Sequence, residues 1–210
     1  MDLFGTQMSC HHRFRFIKWV SVLWLAVWLP TYTAFWGGAN FLHICNVAVI
    51  LSCLGFLFES PLLLSSQAVF SILGNFFWAL DFLNALVTGH PLFGGTEYMW
   101  NASIPLWVRC LSLYHFVLPL LLLWGLHRSG YDRQGWKLQG VISLLVLSLS
   151  RFTDPAKNIN FVFRDPLLRK TWGMASLHVI VIWIGLIVLI YWPTHQVLCR
   201  VFPEPKNSVS

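Results

Sequence analysis

The chain has 210 residues, of which 57% are hydrophobic and only 10% charged, with a formal net charge of +6 and a mean hydropathy of +0.65. No water-soluble domain of this size needs so much apolar surface, and a charge spread over loops suits anionic lipid headgroups better than nucleic acid. The five cysteines, at 10, 45, 53, 110 and 199, form no CxxC pair, so neither a disulfide framework nor a zinc knuckle is written into the spacing.

Six apolar stretches reach or approach the ~17–25 residues that a bilayer crossing requires. They are Phe16–Phe35, Phe41–Phe58, Ser66–Thr88, Ile104–Leu126, Leu138–Phe152 and Met174–Pro193, with the fifth the shortest. Runs such as VLPLLLLWGL and HVIVIWIGLIVLI do not alternate as barrel strands do. The expected fold is therefore all-α: a polytopic integral membrane helical bundle of about six transmembrane helices. The first stretch follows a basic start, but it is as long as a span and lacks a small-residue cleavage site, so it reads as a retained anchor.

Lys and Arg near the span ends favour both termini in the cytoplasm. That side would hold Arg13, Arg15, Lys18, Arg128, Arg133, Lys137, Arg200 and Lys206. The chain divides into a cytoplasmic segment 1–15, a membrane domain 16–194 and a cytoplasmic tail 195–210, with no repeat or soluble module. Two longer connections, 89–103 and 153–173, fall on the outer side, and long loops in a small bundle tend to carry function.

Polar residues inside apolar helices are costly and are functional candidates by default. Placed by depth at about 1.5 Å per residue, they all fall in the outer half. Asn40 would cap the second helix after Gly37 and Gly38, placing His43, Cys45 and Asn46 in its first turns. Asp81 and Asn84 lie near the end of the third helix. Arg109, Ser112 and His115 lie near the start of the fourth, Arg151 ends the fifth and His178 starts the sixth. Pro119 has no N–H for the carbonyl of His115, so a kink and an open space are expected beside that histidine. On an ideal helix Cys45 and His43 would point about 160° apart.

A thiol or hydroxyl nucleophile needs a base at neutral pH, and a histidine oriented by a carboxylate supplies one. Here the pieces would be Cys45, His115 and Asp81. A resemblance adds to this. The segments LHICNVAVIL (Leu42–Leu51), YHFVLPLLLLW (Tyr114–Trp124) and NINFVF (Asn158–Phe163) resemble, in order, landmarks of the androgen-induced, FAR-17a-type intramembrane lipid hydrolases. Their transmembrane acyltransferase relatives and YwaF-like bacterial membrane proteins share those landmarks. The resemblance implies a lipid hydrolase or acyltransferase with Cys45 as nucleophile and His115 as base, residing in the bacterial inner membrane. Asp81 would orient or balance charge, and His43, Asn46, Asn84, Arg109, Arg151, Asn158, Asn160 and His178 would bind substrate.

The substrate would arrive laterally, with membrane lipid as both environment and substrate, and no cofactor is implied, since GGTEYM lacks the lysine and spacing of a phosphate loop. Two other classes stay open. One is a metal site built from His43, His115, His178 and Asp81, which no intrahelical His spacing supports. The other is a non-enzymatic carrier or accessory subunit.

Overall fold

In the computed structural model, residues 14–165 and 168–205 are described; Cys10 and most of segment 1–15 lie outside them. Among the described residues the regular structure is entirely helical. We number the six main helices α1 (Arg15–Trp36), α2 (Ile44–Leu57), α3 (Pro61–Thr88), α4 (Leu106–Ser129), α5 (Gly135–Ser150) and α6 (Ala175–Val201). Four of them, α1, α3, α4 and α6, are long and apolar enough to cross a membrane. The other two are apolar but shorter, at 14 and 16 residues, or about 21 and 24 Å at 1.5 Å per residue. The molecule is an all-helical bundle with the lengths and composition of an integral membrane protein.

The distribution of side chains supports this. Leu23, Val87, Leu120, Phe152 and Leu189 are well exposed, whereas Gln67, Ser71, Gln139 and Ser143 are wholly buried. A bundle in lipid gains nothing by hiding aliphatic groups and turns its polar ones inward, away from the hydrocarbon.

Helix α3 is the axis of the bundle and packs against α2, α4, α5 and α6. Ser60 caps it by accepting the N–H of Leu63 at 3.3 Å, Pro61 occupies its first position and Gly89 ends it in the left-handed region, φ 78°. A Cβ at Gly135 would lie 2.7 Å from the Cβ of Ser65, so glycine is what lets α5 start against α3. One end of the bundle carries the turns at 58–60, 130–134 and 202–205, tied by Lys18–Glu59 (2.6 Å), Arg133–Glu204 (2.7 Å) and Tyr131 N–H to the Pro203 carbonyl (2.8 Å). The opposite end carries 37–43, 89–105 and 151–174.

Several boundaries differ from the sequence reading: α3 starts at Pro61 rather than Ser66, and α5 runs Gly135–Ser150 rather than Leu138–Phe152. Helix α2 starts at Ile44, because 38–42 form a 3-10 turn and His43, not Asn40, is the N-cap. Helix α4 is interrupted by a 3-10 turn at Leu111–Leu113, just before His115. Helix α6 does not end at Pro193 but continues to Val201, so 195–201 is helix rather than tail. A π-helical turn at Ile187–Tyr191 precedes the proline, and a changed hydrogen-bond register is one way a helix accommodates a residue without an N–H.

Candidate functional site

The first polar cluster forms where α1, α2 and the broken start of α4 meet. The Tyr32 hydroxyl and Ser112 Oγ lie 2.7 Å apart, both buried. Tyr114 donates to Asn46 Oδ1 at 2.8 Å, and Asn46 Nδ2 donates to the Asn40 carbonyl at 2.8 Å. The Cys45 thiol lies beside the Tyr114 hydroxyl. The 3-10 turn at Leu111–Leu113 delivers the Ser112 carbonyl to His115, whose Nδ1 is 2.7 Å away.

That contact fixes the chemistry of the ring. A carbonyl only accepts, so Nδ1 carries the proton of the neutral imidazole and Nε2 keeps a lone pair. No described residue bonds Nε2. The ring is clamped between Trp78 (centroids 4.2 Å apart, 11° between planes) and Tyr114 (4.1 Å, 22°), and it keeps 5% of its surface open. His43 lies within electrostatic range. It is in extended backbone, φ −61°, ψ 130°, so the opposed directions expected for His43 and Cys45 on a regular helix do not apply.

The structure thus brings His43, Cys45, Asn46 and His115 into one region. It does not join Cys45 to His115: among the described residues no hydrogen bond links them, and the thiol's polar neighbour is Tyr114. Asp81 is not the orienting carboxylate either. Its Oδ1 accepts the Phe93 N–H and its Oδ2 the Thr96 hydroxyl, both at 2.6 Å. A buried carboxylate must be paired, and the loop after α3, rather than the imidazole, does the pairing. Asn84 works alongside it, donating to the His90 carbonyl at 2.7 Å and to Thr88 Oγ1 at 3.1 Å.

The remaining predicted substrate contacts brace loops: Asn158, Asn160, Arg151 and His178 hold 151–174, and Arg109 holds 89–105. Asn160, left-handed at φ 52°, accepts the Ile44 N–H at 2.9 Å and donates to the Leu42 carbonyl at 2.6 Å and Ser150 Oγ at 3.0 Å. It is a remote N-cap for α2, bracketing His43. Asn158, at φ 42°, accepts from the N–H groups of Phe163 and Arg164, both at 3.0 Å, and donates to the Arg164 carbonyl at 2.8 Å. Arg151 donates to the Val162 carbonyl at 3.0 Å and lies 4.2 Å from the Phe163 ring centre. His178 is wholly buried with both nitrogens engaged, Nε2 with the Phe161 carbonyl (2.9 Å) and Nδ1 with the Trp172 N–H (3.1 Å). Arg109 donates to the Met99 carbonyl at 2.6 Å.

Comparison with family models, curated proteins and solved structures returns no match. The site is therefore read from its own geometry.

The proposed metal set fails on that geometry. Among the described residues no group of three or more His, Cys, Asp or Glu could hold an ion, because Asp81 and His178 are committed to separate loops. Three aromatic residues that sequence reasoning passed over belong to the His115 region: Tyr32, Tyr114 and Trp78. Tyr98 joins them from the 89–105 loop, where burial pushes its phenol well up from its ordinary value. The available signal was a tyrosine adjoining the histidine in Tyr114–His115. Hydrophobic pattern treats such tyrosines as apolar filling.

Proposed function

We propose that this chain is an integral membrane hydrolase or acyltransferase acting on a lipid ester, with His115 as the general base. The observation that carries this is the His115 imidazole: Nδ1 tied to the Ser112 carbonyl at 2.7 Å, ring held between two aromatics, Nε2 unclaimed. In the hydrolytic form, Nε2 takes a proton from water as the water oxygen bonds to the acyl carbon. The imidazolium then returns that proton to the departing alkoxide as the ester C–O bond breaks. The hydroxyls of Tyr32 and Ser112 share one hydrogen bond, so one of their two hydrogens is left to meet a developing oxyanion.

Cys45 as acyl acceptor is the second form of the reaction. The thiol adjoins the Tyr114 hydroxyl and no hydrogen bond among the described residues links it to His115, which favours water as nucleophile. A non-enzymatic carrier or accessory subunit is a different reading, favoured by one observation: Tyr32, Asn46, Ser112 and Tyr114 satisfy one another, as a purely structural core would.

Turnover of fluorogenic long-chain esters by purified protein in lipid nanodiscs separates the three. His115→Gln should lower the rate by about 10²–10⁴-fold, the usual worth of a general base, while Cys45→Ser stays within a few-fold of wild type. An acyl adduct trapped on Cys45, with equal loss in Cys45→Ser, would replace water by the thiol. Wild-type turnover no higher than that of His115→Gln would sink the enzyme and leave the accessory subunit.

A further inference from the structure

Outside the His115 region, the end of the bundle that carries the long loops has a cleft of about 240 Å³ lined by Phe93, Asn158, Phe161, Arg164, Asp165 and Arg169. We propose that this cleft binds the phosphate of a membrane lipid headgroup, with Arg164 and Arg169 as its cationic ligands.

Charge comes first. The ion pairs among the described residues are Lys18–Glu59 and Arg133–Glu204, both at the opposite end. Among the described residues no ion pair involves the guanidiniums of Arg164 and Arg169, and both side chains are exposed. Asp165, the acidic residue of the lining, is turned to its own loop: Oδ1 accepts the Leu168 N–H at 2.6 Å and Oδ2 the Lys170 N–H at 3.0 Å. Planar guanidiniums match phosphate oxygens, and two facing one cleft favour a group that several donors can share.

Architecture comes second. Arg164 projects from a braced segment rather than a solvated tail. Asn158 clamps the backbone of Arg164 from both sides, accepting its N–H and donating to its carbonyl. Asn160, two residues on, is fastened to Leu42, Ile44 and Ser150. Phe93, also in the lining, is held by its N–H to the buried Asp81. A site whose walls are fixed in advance spends less on ordering when it binds.

Apolar neighbours come third and choose the source of the phosphate. Phe93 and Phe161 are both exposed, at 37% and 38%, and flank the cationic groups at the end of four bilayer-length helices. A phosphate with acyl chains attached satisfies both kinds of surface, whereas a soluble anion uses only one. Basic pockets at bundle ends recognise headgroups on the same terms.

The proposal concerns binding and does not depend on His115 turning over an ester. Delipidated protein in a neutral detergent should be titrated with a short-chain phosphatidylglycerol, with the diacylglycerol of the same chains, and with inorganic phosphate, reading both thermal unfolding and bound lipid by native mass spectrometry. Phosphatidylglycerol should be retained and raise the unfolding temperature, with diacylglycerol and inorganic phosphate inactive at matched concentration. Arg164→Gln/Arg169→Gln should weaken phosphatidylglycerol binding by about tenfold or more, two charge-assisted contacts being lost. Arg128→Gln/Arg133→Gln, at the opposite end, should leave it unchanged. Both variants must unfold cooperatively without lipid, which separates lost binding from lost fold. Equal binding of diacylglycerol, or no effect of the Arg164/Arg169 pair, overturns the site. An equal shift with inorganic phosphate overturns its assignment to lipid.

Discussion

Two polar regions inside this bundle use the same residue types and end in opposite states. At the loop-bearing end, Tyr32, Asn46, Ser112, Tyr114 and Asn160 are bonded to one another or to backbone. Deeper in, Gln67 Oε1, Ser71 Oγ and both amide atoms of Asn75 on α3, and the hydroxyl of Thr194 on α6, find no partner among the described residues, although all are buried. The spacing of 67, 71 and 75 puts an unpaired group on one side of α3 at each turn. The lesson is that a buried amide or hydroxyl is not in itself a stabilising feature. Its sign depends on whether a partner is in place, since an unpaired buried group keeps the desolvation cost and a paired one offsets it.

The contrast can be broken hardest at Asn160. Asn160→Ala removes three hydrogen bonds and leaves the Ile44 N–H and Leu42 carbonyl without their partner, which should cost about 2–6 kcal/mol at 1–3 kcal/mol per orphaned group. Thermal or denaturant unfolding in detergent reads this, and faster amide exchange at 44–46 would locate it; unchanged exchange there would show that the remote cap is not what holds the start of α2.

Asp81→Ala comes next. It frees the Phe93 N–H and the Thr96 hydroxyl, each held at 2.6 Å, and should cost about 1–3 kcal/mol at roughly 0.5–1.5 kcal/mol per hydrogen bond. Proteolysis within 90–97 should appear before global unfolding. A loss of esterase activity with the loop still protected would instead return Asp81 to the catalytic role first expected of it.

The sharpest comparison pairs Asn46→Leu with Asn75→Leu. The first leaves the Tyr114 hydroxyl without an acceptor and should destabilise by about 1–2 kcal/mol. The second removes two atoms that bond to nothing in the protein, and should be neutral or slightly stabilising. Equal losses would mean that the Asn75 amide is bonded in the working protein, through water or a ligand, and the division drawn between the two regions would fall.

Much of this was legible in the sequence for reasons that act locally. Apolar length and non-alternating pattern gave helices close to 16–35, 66–88 and 104–126, because in lipid the backbone must bond within its own segment. The depth argument placed His43, Cys45, Asn46 and His115 at one level, since helix rise is fixed. What pattern could not convey was the partner of each polar group. Asp81, Arg151, Asn158 and His178 looked like site residues because a polar group in an apolar helix is conspicuous whether it serves chemistry or braces a loop.

By itself, then, the sequence determined the membrane class, the helical architecture and the set of polar residues that needed explanation, because composition and hydrophobic period suffice for these. Only the tertiary structure decided that Ser112 fixes the His115 tautomer, that Tyr114 rather than His115 adjoins Cys45, and that Asn160 caps a helix 116 residues away. Hydrogen bonds are short-ranged and directional, so contacts between distant parts of the chain exist only once packing has brought donor and acceptor within about 3 Å.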